Sequence, residues 1–79
     1  MDKENIQFVI GKKQILREMK NGNIAEIIIA ADVDKDYVAS ITEFARKHNV
    51  PFVVGSSMKE LSENFDIDVP CGAVGKLKK

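Results

Sequence analysis

The sequence predicts an α/β fold, a three-layer α/β/α sandwich built around a four-stranded mixed sheet. Three observations predict it. Short apolar runs of strand length alternate with segments whose apolar residues recur every three or four positions. The helical segments carry residues suited to helix ends. The 79 residues contain no linker, repeat or low-complexity tract. The alternation β-α-β-α-β-α-β therefore has to close one sheet between helices, as a single domain over residues 1–79.

The elements follow in order. Ile6–Ile10 reads as the first strand and stops at Gly11. A helix over 12–21 comes next, with Ile15, Leu16 and Met19 on one face and Asn21-Gly22 closing it. "AEIIIAA" (25–31) has the continuous apolar character of a strand buried on both faces. An acidic turn leads into a helix from Asp36 to His48, whose stripe is Tyr37, Val38, Ile41, Phe44 and Ala45, stopped by Asn49. "VPFVV" (50–54) is the third strand, with Pro51 at its entry. Ser57-Met58-Lys59-Glu60 fits a capping box and starts a third helix carrying Met58, Leu61 and Phe65. The last strand falls in "GAVGKL" (72–77) and has the weakest strand character, because two glycines lower its β propensity.

Composition narrows the function. An apolar fraction of 44% is ordinary for a folded chain, and with no Trp, one Tyr and four Phe the core has to be mostly aliphatic. The single cysteine, Cys71, cannot form an internal disulfide, and no signal peptide precedes the first strand; both suit a reducing, cytoplasmic setting. No apolar run approaches the roughly 20 residues that span a bilayer, so no membrane partner is expected. Twelve Lys and Arg balance twelve Asp and Glu. The distribution is uneven. Lys12, Lys13, Arg17 and Lys20 face a single Glu18 across residues 11–22, and Lys76, Lys78 and Lys79 end the chain. The acids gather at Asp32, Asp34 and Asp36, and again from Glu60 to Asp68.

The opening of the first helix breaks a local rule. A helix N-terminus is its positive end, and each lysine there costs about 0.3–1 kcal/mol. Lys12 and Lys13 make sense if an anion completes the site: free backbone N–H groups point outward, and Gly11 lets a ligand come close. Arg17 and Lys20 continue the basic flank. Neither GxxxxGKS, GxxxxGKT nor GxGxxG is present, which leaves a lone phosphate or a dinucleotide poorly supported. Gln14, one turn in, offers both an amide donor and an acceptor, the equipment for reading a base edge. The alternative at this point is a solvated, merely basic helix face.

Other constellations fall away. Asp32, Asp34, Asp36 and Glu43 occupy four places of a calcium-loop pattern, but Tyr37 stands where the loop needs Gly. Asp34 reads more simply as a helix N-cap. His48 suits a helix C-terminus, and one His with one Cys assembles neither a metal site nor a nucleophile pair. No acid–base pair stands out, so neither an enzyme nor a cofactor is expected.

Several segments together carry a resemblance. "VIGKKQILREMKNGNIAEIIIAADVD", "VPFVVGSSMKEL" and "IDVPCGAV" resemble the ribosomal L-seven-Ae/L-thirty-e family, particularly its small bacterial kink-turn-binding members. Those proteins open helix one with Gly-Thr-Lys-Gln or Gly-Thr-Asn-Glu, place a basic residue three positions later, and leave the second strand through Ala-x-Asp-x-Asp/Glu. Lys12 here replaces the usual Thr, and Arg17 the usual lysine.

The resemblance implies RNA binding at a kink-turn, ribosomal or otherwise, by a cytoplasmic monomer. A-form RNA hides its base edges in a deep, narrow groove, and a sharply bent element flanked by sheared G·A pairs opens it. By resemblance, Gly11 permits close approach, Lys12 meets the backbone, and Lys13 and Gln14 contact guanine edges. The loop Ile67, Asp68, Val69, Pro70 and Cys71 packs against the bases of the kink, and Asp34 lies near an extruded nucleotide. The alternative is a protein-interaction or small-ligand module of the same fold with no RNA role.

Overall fold

Seven elements alternate along the chain of the computed structural model, which describes residues 7–68 and 71–78. They are β1 (Phe8–Ile10), α1 (Lys12–Lys20), β2 (Ile24–Ile29), α2 (Lys35–Lys47), β3 (Phe52–Val54), α3 (Met58–Asn64) and β4 (Ala73–Leu77). The strands form one sheet in the order β1-β4-β2-β3. β4 runs antiparallel to both neighbours, while β2 and β3 are parallel. The sheet is therefore mixed. β1, β2 and β3 all end at the edge where β4 begins, and that edge positions the site.

Alternation along the strands divides the core in two. Ile27, Ile29 and Ala73 turn to one face and pack with Ile15 and Met19 of α1 and Ile41 and Ala45 of α2. Ala30 and Val74 turn to the other face and pack with Leu61 and Cys71. There Phe8 of β1 meets Phe65, just past α3, edge to face with ring centroids 5.0 Å apart. The sandwich thus has α1 and α2 on one side and the short α3 on the other. The capping box is present at α3: Glu60 N–H donates to Ser57 Oγ, and Ser57 N–H donates to Glu60 Oε1, each at 3.1 Å.

The segment with the weakest strand signal, β4, is an interior strand. Its glycine is the reason it fits. A Cβ on Gly75 would stand 2.9 Å from Ile24 Cδ1 and 3.3 Å from Ile15 Cγ1, so the bare backbone lets α1 settle onto the sheet. The polar end of β4 also has a place, because Lys76 sits opposite Glu26 in register and pairs with it at 3.6 Å. Both side chains are about one-third exposed, so the pair contributes at most about 1 kcal/mol.

Other boundaries shift for tertiary reasons. Ile6, expected in the first strand, lies outside the described residues. β2 is not buried along its whole length, since Ala25 is exposed. It ends at Ile29 because Ala30 and Ala31 turn their N–H groups to the Gly72 and Ser56 carbonyls, each at 2.8 Å. β3 is an outer strand, and Val53 and Val54, which turn to opposite faces of the sheet, are both about half exposed. Asn49 closes α2 in the left-handed region at φ 58°, a conformation Asn tolerates. Among the described residues, no helix is long and apolar enough to cross a membrane.

Candidate nucleic-acid interface

Three chain segments converge at the edge where β1, β2 and β3 end. The first is Gly11 with the start of α1. Gly11 adopts φ 90°, ψ 142°, and no side chain caps the helix. The first turn holds no acid, and the earliest backbone bond into the helix is Ile15 N–H to the Gly11 carbonyl at 3.1 Å. Ile15 and Met19 are buried against the sheet, which turns the opposite flank of α1 to solvent. Lys13, Gln14 and Arg17 line an open groove on that flank. Lys12 is half-buried beside it. Lys13, Arg17 and Lys20 are spaced four and three residues apart, a stripe about 10 Å long at 1.5 Å rise per residue. Lys20 therefore belongs to the far end of α1, away from the edge.

The second segment leaves β2 through residues 30–34. Asp34 occupies the N-cap position of α2, as its sequence context suggests, but its side chain makes no capping bond and stays exposed. Asp32 is already engaged: its Oδ1 accepts the Met58 N–H at 2.9 Å, 26 residues along the chain. With α2 running through Tyr37, the calcium-like spacing becomes one helix start plus one latch between segments.

The third segment is the chain entering β4. The Gly72 carbonyl accepts Ala30 N–H, which brings Cys71 and Gly72 to the edge. Val33 and Tyr37 close over Gly72; a Cβ there would stand 2.9 Å from Val33 Cγ1 and 3.1 Å from Tyr37 Cε1. Cys71 is only 7% exposed, and burial pushes its thiol pKa up, which keeps the sulfur protonated and inert. Its side chain belongs to the core, leaving backbone to offer a ligand. Burial, reinforced by Cys71, likewise raises the Tyr37 hydroxyl. Ile67, at the far end of the loop, donates its N–H to Ser62 of α3 and packs into the second core cluster, while Asp68 is exposed. Val69 and Pro70 lie outside the described residues.

Of the residues singled out by sequence, Gly11, Lys12, Lys13, Gln14, Asp34 and Cys71 thus come to one edge, with Arg17 one turn inward. Asp32, Val33 and Tyr37 were not expected to shape the site. Gly72, in its Pro/Gly-rich stretch, was the available signal for a close approach; nothing local signals the Asp32 latch.

Gly11 has a second role that its sequence position does not reveal. Open space surrounds its missing side chain, which suits ligand approach, yet its positive φ is itself a conformation that L side chains rarely adopt. Gly11→Val is therefore expected to cost about 1–3 kcal/mol of stability without any ligand, besides blocking the helix start. Urea unfolding checks this; a variant as stable as the parent would show that the segment relaxes freely.

Comparison with known proteins identifies the family of this fold. Residues 2–79 match the ribosomal protein L7Ae/L30e/S12e/Gadd45 family. The chain is 39% identical over 72 residues to RNA-binding protein GK0100 of Geobacillus kaustophilus, covering 91% of this chain and 88% of that protein. It is 38% identical over 72 residues to RNA-binding protein YbxF of Geobacillus stearothermophilus, with the same coverage. The fold superposes on the Giardia lamblia 15.5kD RNA binding protein with a TM-score of 0.84 and 25% identity, over 91% of this chain and 61% of that one. A Bacillus halodurans protein of unknown function, at 16% identity, gives the same TM-score over 89% of this chain and 70% of its own and speaks for the fold alone. The chain belongs to the ribosomal protein L7Ae/L30e/S12e/Gadd45 family.

Proposed function

We propose that this protein binds structured RNA and that its preferred element is a kink-turn, held by the start of α1 and the Ile67–Cys71 loop. One observation carries the reading. An uncapped, acid-free helix start bearing Lys12, Lys13 and Gln14 shares one sheet edge with the exposed Asp34 and the chain entering β4. A polyanion supplies the negative charge that this helix end lacks. Its relatives named as RNA-binding proteins point to the same ligand.

In the complex, Lys12 and Arg17 meet phosphates, with Lys20 extending the basic flank. Gly11 lets the RNA backbone approach, and Lys13 and Gln14 read guanine edges in the opened groove. Asp34 accepts from an extruded nucleotide, and the Ile67–Cys71 loop packs on the bases of the bend. The protein acts as a monomeric, single-domain binder in the cytoplasm, on ribosomal or other structured RNA, and performs no catalysis.

The test is an affinity comparison between a kink-turn and a straight duplex of equal length. Strong preference for the kink-turn is expected, with affinity falling as salt rises because phosphate contacts release counterions. Equal affinity at moderate salt would reduce the site to nonspecific attraction.

A further inference from the structure

The geometry points to Asp32 as a positioning residue that holds the second half of the RNA site in register with the start of α1. This rests on the RNA reading above and concerns a side chain that touches no ligand. Asp32 leaves β2 next to Asp34, yet the two carboxylates are used differently. Asp32 Oδ1 accepts the Met58 N–H at the first position of α3, at 2.9 Å. Asp34, two residues on, makes no capping bond and stays exposed.

Among the described residues, the latch is one of three hydrogen bonds that join residues 30–32 to other segments. Ala30 N–H reaches the Gly72 carbonyl and Ala31 N–H the Ser56 carbonyl, both at 2.8 Å. Both of those are backbone bonds that any sequence could make. Of these three, the Asp32 bond is the one that depends on a side chain and the one that reaches α3 itself. α3 leads into the loop that re-enters the sheet at Gly72, beneath Val33 and Tyr37. α3 has a capping device of its own, in which Ser57 and Glu60 accept each other's N–H groups. The box does not use the Met58 N–H, and Asp32 takes that donor from across the chain. That bond is well placed to fix where residues 30–34 sit.

Electrostatics gives the idea a distinctive sign. A carboxylate near an RNA site repels phosphates, so removing one that mattered only through its charge would tighten binding. A positioning role predicts the reverse. Losing an acceptor bond loosens the exit of β2 and lowers the fraction of molecules whose site is arranged for the bend, and apparent affinity falls by that fraction.

The experiment measures kink-turn and straight-duplex affinities at several salt concentrations for the parent, Asp32→Ala, Asp32→Asn, Met58→Pro and Ser57→Ala. Asp32→Ala is expected to weaken kink-turn binding about tenfold with an unchanged salt slope and unchanged duplex binding. Asp32→Asn keeps the acceptor and should bind within about twofold of the parent. Met58→Pro removes the donor instead, at a first helical position that tolerates proline after an extended Ser57; it also removes a side chain packed on the second core cluster, and it should lose kink-turn affinity by at least about tenfold, which keeps the test open if Asp32→Ala fails to fold. Ser57→Ala weakens α3 without touching the latch and should keep the kink-turn preference. Parent-like or tighter binding by Asp32→Ala or Met58→Pro would overturn the assignment, as would equal losses in Asp32→Ala and Asp32→Asn, which mark a direct carboxylate contact. A loss in Ser57→Ala as large as in Asp32→Ala would reduce the effect to helix stability and overturn it too. A parent without kink-turn preference would remove the RNA reading itself, a result separate from any effect of the variants.

Discussion

Gln14→Ala is expected to weaken binding to an intact kink-turn by about 1–3 kcal/mol, roughly 5- to 150-fold, while leaving the salt dependence nearly unchanged. Gln14 carries no charge, lies in the first turn of α1 and lines the exposed groove with Lys13 and Arg17. Its loss removes a donor and an acceptor from a base edge but releases no counterion. On an RNA whose G·A pairs are altered, the same variant should cost little. Lys12→Ala supplies the contrast: it should weaken binding to all sequences alike and reduce the salt slope by about one. Lys13→Ala should show both signatures. The measurement is a matrix of three substitutions, two RNAs and several salt concentrations. If Gln14→Ala binds both RNAs like the parent, the start of α1 is only an electrostatic anchor, and base reading moves to the Ile67–Cys71 loop.

Ile15→Ala should produce the largest loss of stability. Ile15 is fully buried next to Gly75 and Ile24, and it follows Gln14 directly in the chain. Truncation removes apolar contacts and leaves a cavity, together worth about 2–5 kcal/mol. For a domain of this size that is a large share of an expected total of about 5–15 kcal/mol, and it should lower the melting temperature by on the order of 10–30 °C. Thermal and urea unfolding check it. The residue also connects packing to function, because the side that Ile15 buries determines that Lys13, Gln14 and Arg17 face outward. A loss below about 1 kcal/mol would mean that α1 is held by its other contacts.

The order and kind of all seven elements were legible in the sequence, because each rests on short-range patterns. Helical spacing marked Ile15 and Met19, a capping box marked the start of α3, and the apolar run 25–31 marked the central β2. The basic start of α1 was legible for the same reason, since the conflict between Lys12, Lys13 and the helix dipole is contained in one turn. The family resemblance added the expectation that these residues meet RNA.

What only the tertiary structure decided lies in pairings between distant residues. β4 takes an interior place despite its glycines, because Gly75 lies under Ile15 and Ile24, contacts 60 and 51 positions away in the numbering. Asp32 and Asp34 look equivalent in sequence, yet one accepts a bond from Met58 and the other, at a helix N-cap, makes no capping bond. Gly11 joins β1 to α1 at a positive φ, which its sequence context alone does not specify. Periodicity and capping act within a turn or two of chain, so sequence determined the elements and the charge of the first helix. Sheet order, close approach and cross-segment hydrogen bonds depend on which faces meet, so the folded chain alone decided how Gly11, Asp34 and Cys71 come to one edge.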